Sequence, residues 1–201
     1  MSEVYYGLAL QMLTYLDVVL SQAKDWLGME ATPAGILYFH VHNAMIQTSE
    51  QLSEDQIEKE IFKKYKMDGL VISDQEVAKL MDKEVETGYS NIIPVAFRKD
   101  GSFYSNSKVA DVNTFQLLRE HMNRLIERAG IQITSGQIEL NPYENNKGNA
   151  CRFCSFKSIC QFDPILEDNN YRKLAPLKED EMLNKLQALS KDKEKMGRGG
   201  N

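Results

Sequence analysis

Apolar residues recur at three- and four-residue spacing near the start of the chain, at Val4, Leu8, Met12, Leu16, Val19 and Leu20. No proline interrupts Glu3 to Ala23, so the spacing predicts a helix there. Ala9, Leu10 and Leu13 widen the stripe, which predicts burial on more than one side. A chain that opens inside a helix, with no capping residue ahead of it, reads as part of something longer. Beyond Gly28 and Pro33, the run Gly35 to Val41 is rich in β-formers and bounded by turn residues, which predicts a buried strand. Glu54 to Tyr65 is charged and amphipathic on Ile57, Ile61 and Phe62, a helical pattern.

Met67 to Ile72 predicts a short extended segment, and Ser73-Asp74-Gln75-Glu76 a capped start for a helix reaching about Glu86. Ile92 to Lys99 has the composition of a strand, with Asp100-Gly101 as a hairpin turn into Phe103-Tyr104. The clearest helical stripe is Phe115, Leu118, Met122, Leu125 and Ile126, within Asp111 to Ala129 and closed by Gly130. Gly136 to Leu140 predicts a short strand ended by Asn141-Pro142, and a compact cysteine-bearing loop or short helix follows. From about Lys178 the residues are mostly charged or small, which predicts an irregular tail apart from a helix over Met182 to Leu189. Helices interleaved with strands give an α/β fold.

Composition changes this picture little. The chain has 201 residues, 42% hydrophobic and 26% charged, enough for one domain or part of a larger one. No apolar run approaches the roughly 18–20 residues needed to span a bilayer. The start lacks a basic stretch, an apolar core and a small-residue cleavage site, so the expected location is the cytoplasm, away from membranes. A net charge of −5 does not favour non-specific nucleic-acid binding in bulk, although a groove or a partner protein can supply basic surface.

The three cysteines change it more. Cys151, Cys154 and Cys160 fall within ten residues, and the rest of the chain has none. A Cys-x2-Cys step lets two thiolates face one metal centre, and the third returns to it if the chain curls. Zinc and [4Fe–4S] centres both take four ligands, so a fourth would lie elsewhere. Three reduced thiols without a metal are the plain alternative. His40, His42 and His121 are the histidines that could complete a zinc site. His40 and His42 share a face of the predicted strand, more simply read as a partly exposed surface. His121 reads as a surface or satisfied histidine. Arg152 and Lys157 would offset a cluster's negative charge, and Phe153 and Phe156 would shield it from water.

Three stretches in order resemble RecB-type nuclease domains, and more closely those of the B-type subunits of bacterial AddAB helicase–nucleases. They are Tyr5 to Leu16 with Gln11-x3-Tyr15, then Gly35 to Phe39, then Gly136 to Pro142 followed by the cysteines. The resemblance runs from about Tyr5 to Asp163. It implies a partial PD-(D/E)XK (restriction-endonuclease-like) core, a mixed sheet flanked by helices with a C-terminal cysteine segment. Residues 1–165 would be the C-terminal part of that nuclease domain, with 151–160 as the iron–sulfur segment, and 166–201 a largely flexible extension. Cys151, Cys154 and Cys160 would ligate a structural [4Fe–4S] cluster with a fourth, upstream cysteine. The implied activity is magnesium-dependent deoxyribonuclease action on DNA ends in double-strand break repair by homologous recombination. DNA and the A-type subunit of the helicase–nuclease, in a heterodimer, are the implied partners. Gln11 would orient the metal-bound water or a phosphate, and Tyr15 would contact the DNA backbone.

One departure limits the match. The family holds its metal with an acidic residue and an Asp-x-Lys or Glu-x-Lys pair, and this sequence contains neither pair. In the family's motif order those residues precede the Gln-x3-Tyr helix and so would fall before residue 1. The expectation is a chain that is catalytically silent alone and loads a cluster poorly. There is no G-x4-G-K-[ST] loop, so ATP chemistry would belong to a larger protein or its partner. Two rivals are a small zinc-stabilised binding module and a CRISPR-associated nuclease with the same cysteine layout.

Overall fold

The structure, a computed structural model, describes residues 2–41, 45–166 and 169–197, with side chains through 191. It comprises two units, one of residues 12–116 and one of residues 1–11 with 117–201.

In the first of these, helix α2 (Gln11–Leu27) precedes strand β1 (Gly35–Tyr38), helix α3 (Glu54–Lys64) and strand β2 (Asp68–Ile72). Helix α4 (Gln75–Met81), the short strands β3 (Gly88–Tyr89), β4 (Ala96–Phe97) and β5 (Val109–Ala110), and the start of helix α5 (Val112–Thr134) complete it. Strand β2 is central: it pairs antiparallel with β1, Leu37 opposite Gly69, and parallel with β5, Ile72 opposite Ala110. Its alternation sorts two apolar layers, as the period of two requires. Val71 joins Ala78, Val85, Ile93, Val95 and Phe97 on one face. Leu70 and Ile72 join Phe115, Ala110, Leu16 and Val77 on the other. The result is the small mixed sheet between helices that the sequence predicts.

Gly69 is required where it stands. Its φ of 146° disfavours any side chain, and a Cβ there would lie 2.0 Å from the Ile36 carbonyl oxygen across the β1–β2 pairing. Asp74 caps α4 by accepting from the Glu76 and Val77 amides at 2.9 and 3.2 Å. That helix stops at Met81, short of the predicted Glu86. Asp82 leaves the helix because its carboxyl group is engaged elsewhere, with the Ser90 hydroxyl at 2.6 Å and the Glu84 amide at 3.1 Å.

The other unit contains the short helix α1 (Ser2–Tyr5), most of α5, a three-stranded sheet and two further helices. Its sheet order is β7 (Gly148–Asn149), β6 (Tyr143–Asn145) and β8 (Arg172–Lys173). The helices are α6 (Lys157–Cys160) and α7 (Glu179–Gly197). Leu118, Met122, Leu174, Met182 and Leu186 are buried here. The Ser190 hydroxyl donates to Glu120 at 2.9 Å, tying α7 to α5. The Ser2 hydroxyl donates to the Leu177 carbonyl and the Tyr6 hydroxyl to the Ala175 carbonyl, tying down the first residues.

Several boundaries differ from the periodicity. The first predicted helix is broken into α1 and α2, because Gly7 adopts φ +80° and turns the chain. The strand expected over Gly35 to Val41 ends at Tyr38 and is half-buried, with Val41 86% exposed. Of Ile92 to Lys99 only Ala96–Phe97 is strand, since Ser90 binds the Ile92 and Ile93 amides and bends the chain. The Asp100-Gly101 turn forms as predicted, with Gly101 at φ +84° and Phe97 bridged to Phe103. Helix α5 runs through Gly130 and ends near Gly136, at φ +72°. Gly136 to Leu140 is not a strand, and Ile138 is 92% exposed. Helix α7 runs from Glu179 to Gly197, far longer than the predicted 182–189, and buries Met182 and Leu186 within the predicted stretch. Residues 198–201 of the predicted tail lie outside the described residues. Among the described residues no helix is long and apolar enough to cross a membrane.

Candidate cysteine cavity and the Gln-x3-Tyr helix

The cysteine segment is shaped by the β6–β7 hairpin and by the parallel pairing of β6 with β8. The Ala150 amide donates to the Tyr143 carbonyl, closing the hairpin just before Cys151. The Asn149 side chain accepts from the Cys151 amide at 3.1 Å, and the Cys154 amide donates to the Cys151 carbonyl at 3.3 Å. One tight turn therefore holds the first two cysteines. Helix α6 returns the third: the Cys160 amide donates to the Phe156 carbonyl at 2.8 Å, and Gln161 leaves the helix at φ +52°.

All three cysteines line one cavity of about 440 Å³, together with Arg152, Lys157 and Tyr171. Their thiols are free, Cys154 exposed and the other two half-buried. The chain thus curls as the third cysteine's spacing requires. Among the described residues, however, no three of His, Cys, Asp and Glu gather closely enough to hold a single ion. Three free thiols around one cavity are a donor set that an iron–sulfur cluster, or a zinc ion, could use with one further ligand. Among the described residues, no histidine lines the cavity. His40 is exposed on the segment after β1, and His42 lies outside the described residues.

Two expectations about the surroundings change. Phe153 and Phe156 do not shield the site: they are 87% and 66% exposed, and Arg152 lies over the Phe153 ring at 5.1 Å. The two cations are in place, since Arg152 and Lys157 both line the cavity. His121 is buried rather than at the surface. Its Nε2 donates to the Tyr5 carbonyl at 2.8 Å and its ring stacks on Tyr5, while Nδ1 is buried without a partner. Burial, chiefly, holds its pKa below the usual histidine value, and Arg124 and Arg128 push the same way.

Tyr171 is the cavity residue the sequence pattern missed. It lies next to β8, well beyond the last cysteine, and only the β6–β8 pairing brings it back. A hydrogen bond with Cys151 raises its phenol above the ordinary tyrosine value, with burial adding to the shift. Phe162 packs edge-on against its ring at 5.0 Å. No local signal marks this tyrosine.

Gln11 and Tyr15 sit four residues apart at the start of α2, hence on one face. Gln11 is exposed and Tyr15 is 56% exposed. Both side chains are thus exposed on that face.

The chain is similar to known proteins over most of its length. Residues 1–161 match the family described as the PD-(D/E)XK nuclease superfamily. A protein of Oceanobacillus iheyensis, named as the B component of an ATP-dependent helicase/deoxyribonuclease, is 54% identical over 183 residues, 91% of this chain and 16% of that protein. A Bacillus pumilus protein of the same name is 53% identical over 186 residues, 92% of this chain and 16% of its own. One from Bacillus subtilis is 51% identical over 183 residues, 91% of this chain and 16% of its own. The chain thus spans about a sixth of the length of these relatives.

Proposed function

The chain belongs to the PD-(D/E)XK nuclease superfamily, and on that premise we propose that it is part of the B component of an ATP-dependent helicase/deoxyribonuclease. In this reading the whole protein degrades DNA ends during double-strand break repair by homologous recombination, in the cytoplasm and paired with an A component. The observation that carries the reading is identity of about half over nine-tenths of the chain to relatives bearing that name. The cysteine cavity supports it independently, because its donors suit an iron–sulfur cluster.

Within that protein Cys151, Cys154 and Cys160 would hold a [4Fe–4S] cluster with one more thiolate. The cluster would supply a covalent brace from the hairpin to α6 rather than electron transfer in the reaction. Arg152 and Lys157 would balance its charge, and Tyr171 would hold Cys151 by a hydrogen bond. Gln11 would orient water or a phosphate at a magnesium centre, and Tyr15 would meet the DNA backbone. The magnesium carboxylates and the lysine would come from other parts of the protein, because no Asp-x-Lys or Glu-x-Lys pair occurs in these 201 residues.

Two measurements test this. The 201-residue chain should show no magnesium-dependent cleavage of linear DNA, and activity that co-purifies with it through several columns would overturn the assignment of the carboxylates. In the whole protein, Cys154→Ser should abolish the visible absorbance of the cluster and its four irons per chain. A whole protein that holds zinc instead, or no metal at all, would overturn the iron–sulfur reading.

A further inference from the structure

Among residues other than the cysteines and those of α2, one surface patch has features that packing alone does not require. Tyr89 on β3 stands opposite Ala96 on β4, and the Tyr104 amide donates to the Ala96 carbonyl at 2.9 Å from the other side. The three residues form a cross-strand row with a small, buried alanine at its middle. Over that alanine the two tyrosine rings close to 6.0 Å with planes 12° apart. The Arg98 guanidinium caps the Tyr104 ring at 5.5 Å. An aromatic pair serving only the core would be covered, yet Tyr89 is 64% exposed. Its hydroxyl accepts from the Asn106 amide nitrogen at 3.1 Å, so the ring is held rather than free to swing.

A cavity of about 330 Å³ opens beside Tyr89, lined also by Lys66, Asp68, Asn106, Ser107 and Lys108. Asp68, the one carboxylate in the lining among the described residues, is ion-paired with Lys108. Lys66 and Lys108 against Asp68 leave the cavity lining with one net positive charge, against the acidic balance of the whole chain. A held, exposed aromatic face beside a polar cavity with a local cationic excess suits a flat, partly aromatic polyanion.

We propose that the Tyr89–Tyr104 stack is a binding platform for single-stranded nucleic acid, with a base on Tyr89 and its flanking phosphates near Lys66 and Lys108. Every base has a π-face, so such a platform holds a strand without reading its sequence. A duplex hides its base faces and gains nothing from the tyrosine. The inference rests on the reading that DNA is the substrate, and it names residues other than Gln11 and Tyr15 that would grip a separated strand.

The experiment uses the 201-residue chain and a fluorescein-labelled oligothymidylate, read by anisotropy at low salt. The single strand should bind more tightly than the same label in a duplex. Tyr89→Ala should weaken binding roughly tenfold, while Tyr89→Phe, which keeps the ring, should stay near the parent. Lys66→Gln should lower the slope of log affinity against log salt by about 0.7, one phosphate on a single strand. Circular dichroism on each variant separates lost binding from lost folding, which an exposed side chain should not cause. Equal affinity for duplex, no binding, binding of an acidic peptide in preference to the strand, or indifference to Tyr89→Ala would each overturn the platform. Strand binding that ignores Tyr89→Ala leaves the nuclease reading standing. A whole protein without nuclease activity overturns that reading, even where the isolated chain grips the strand through Tyr89.

Discussion

Replacing Ser90 with alanine removes one oxygen, but that oxygen organises the loop from Asp82 to Val95. Ser90 is 1% exposed, and its hydroxyl donates to the Asp82 carboxyl at 2.6 Å. The same oxygen accepts from the Ile92 amide at 3.1 Å and the Ile93 amide at 2.9 Å. In Ser90→Ala, Asp82 keeps its bond from the Glu84 amide but loses the donor at its other oxygen. The Ile93 amide, on a residue with no exposed surface, loses its acceptor, and the half-buried Ile92 amide loses part of its own. Each buried group left without a partner costs about 1–3 kcal/mol. Two in full and one in part give roughly 3–5 kcal/mol after local relaxation, a large share of the ~5–15 kcal/mol that holds a domain together. Urea unfolding followed by circular dichroism should show a lower midpoint with an unchanged slope. Much of the loss is a stranded Asp82, so Ser90→Ala with Asp82→Ala should cost less than the sum of the two. A single-variant loss below about 0.5 kcal/mol, or strict additivity, would refute the argument that this hydroxyl is the knot of the loop.

Gly69→Ala should cost at least about 3 kcal/mol, because a Cβ 2.0 Å from the Ile36 oxygen must part β1 from β2; a thermal midpoint within a degree or two of the parent would contradict that geometry. His121 gives a pH dependence of definite sign. Its folded pKa lies below the ordinary 6.5, so the unfolded chain takes the proton first. The stabilisation is therefore present above about pH 6.5 and is lost as pH falls through the folded value. His121→Gln, whose amide can still donate to Tyr5, should flatten the fall in urea midpoint between about pH 7 and pH 5; an unchanged profile would assign the acid sensitivity elsewhere. Asp74→Ala should lower stability by about 1 kcal/mol through the lost cap of α4, checked by the same unfolding curve.

Features written in neighbouring residues were legible in the sequence. Helix α3 follows its own amphipathic stripe, and the Asp100-Gly101 turn needs only a glycine at positive φ. The three cysteines could be singled out from their spacing, and the fold lines one cavity with all three. Gln11 and Tyr15 stood out only through the resemblance, and their four-residue spacing puts them on one helix face. Interactions between distant residues were not legible. Gly130 and Gly136 could each end α5, and only the fold shows the chain turning near Gly136. The predicted strand over 92–99 shrank because a serine outside its pattern takes two of its amides. Helix α7 extends on both sides of the predicted 182–189, through charged residues whose composition does not advertise a helix. Tyr171 reached Cys151 only through the parallel pairing of β6 and β8, and the Tyr89–Tyr104 stack formed only across an intervening strand. Periodicity and spacing report forces that act within a few residues. Burial, cross-strand registry and the partners of a buried polar group depend on which distant segments meet, and the tertiary fold alone decides that.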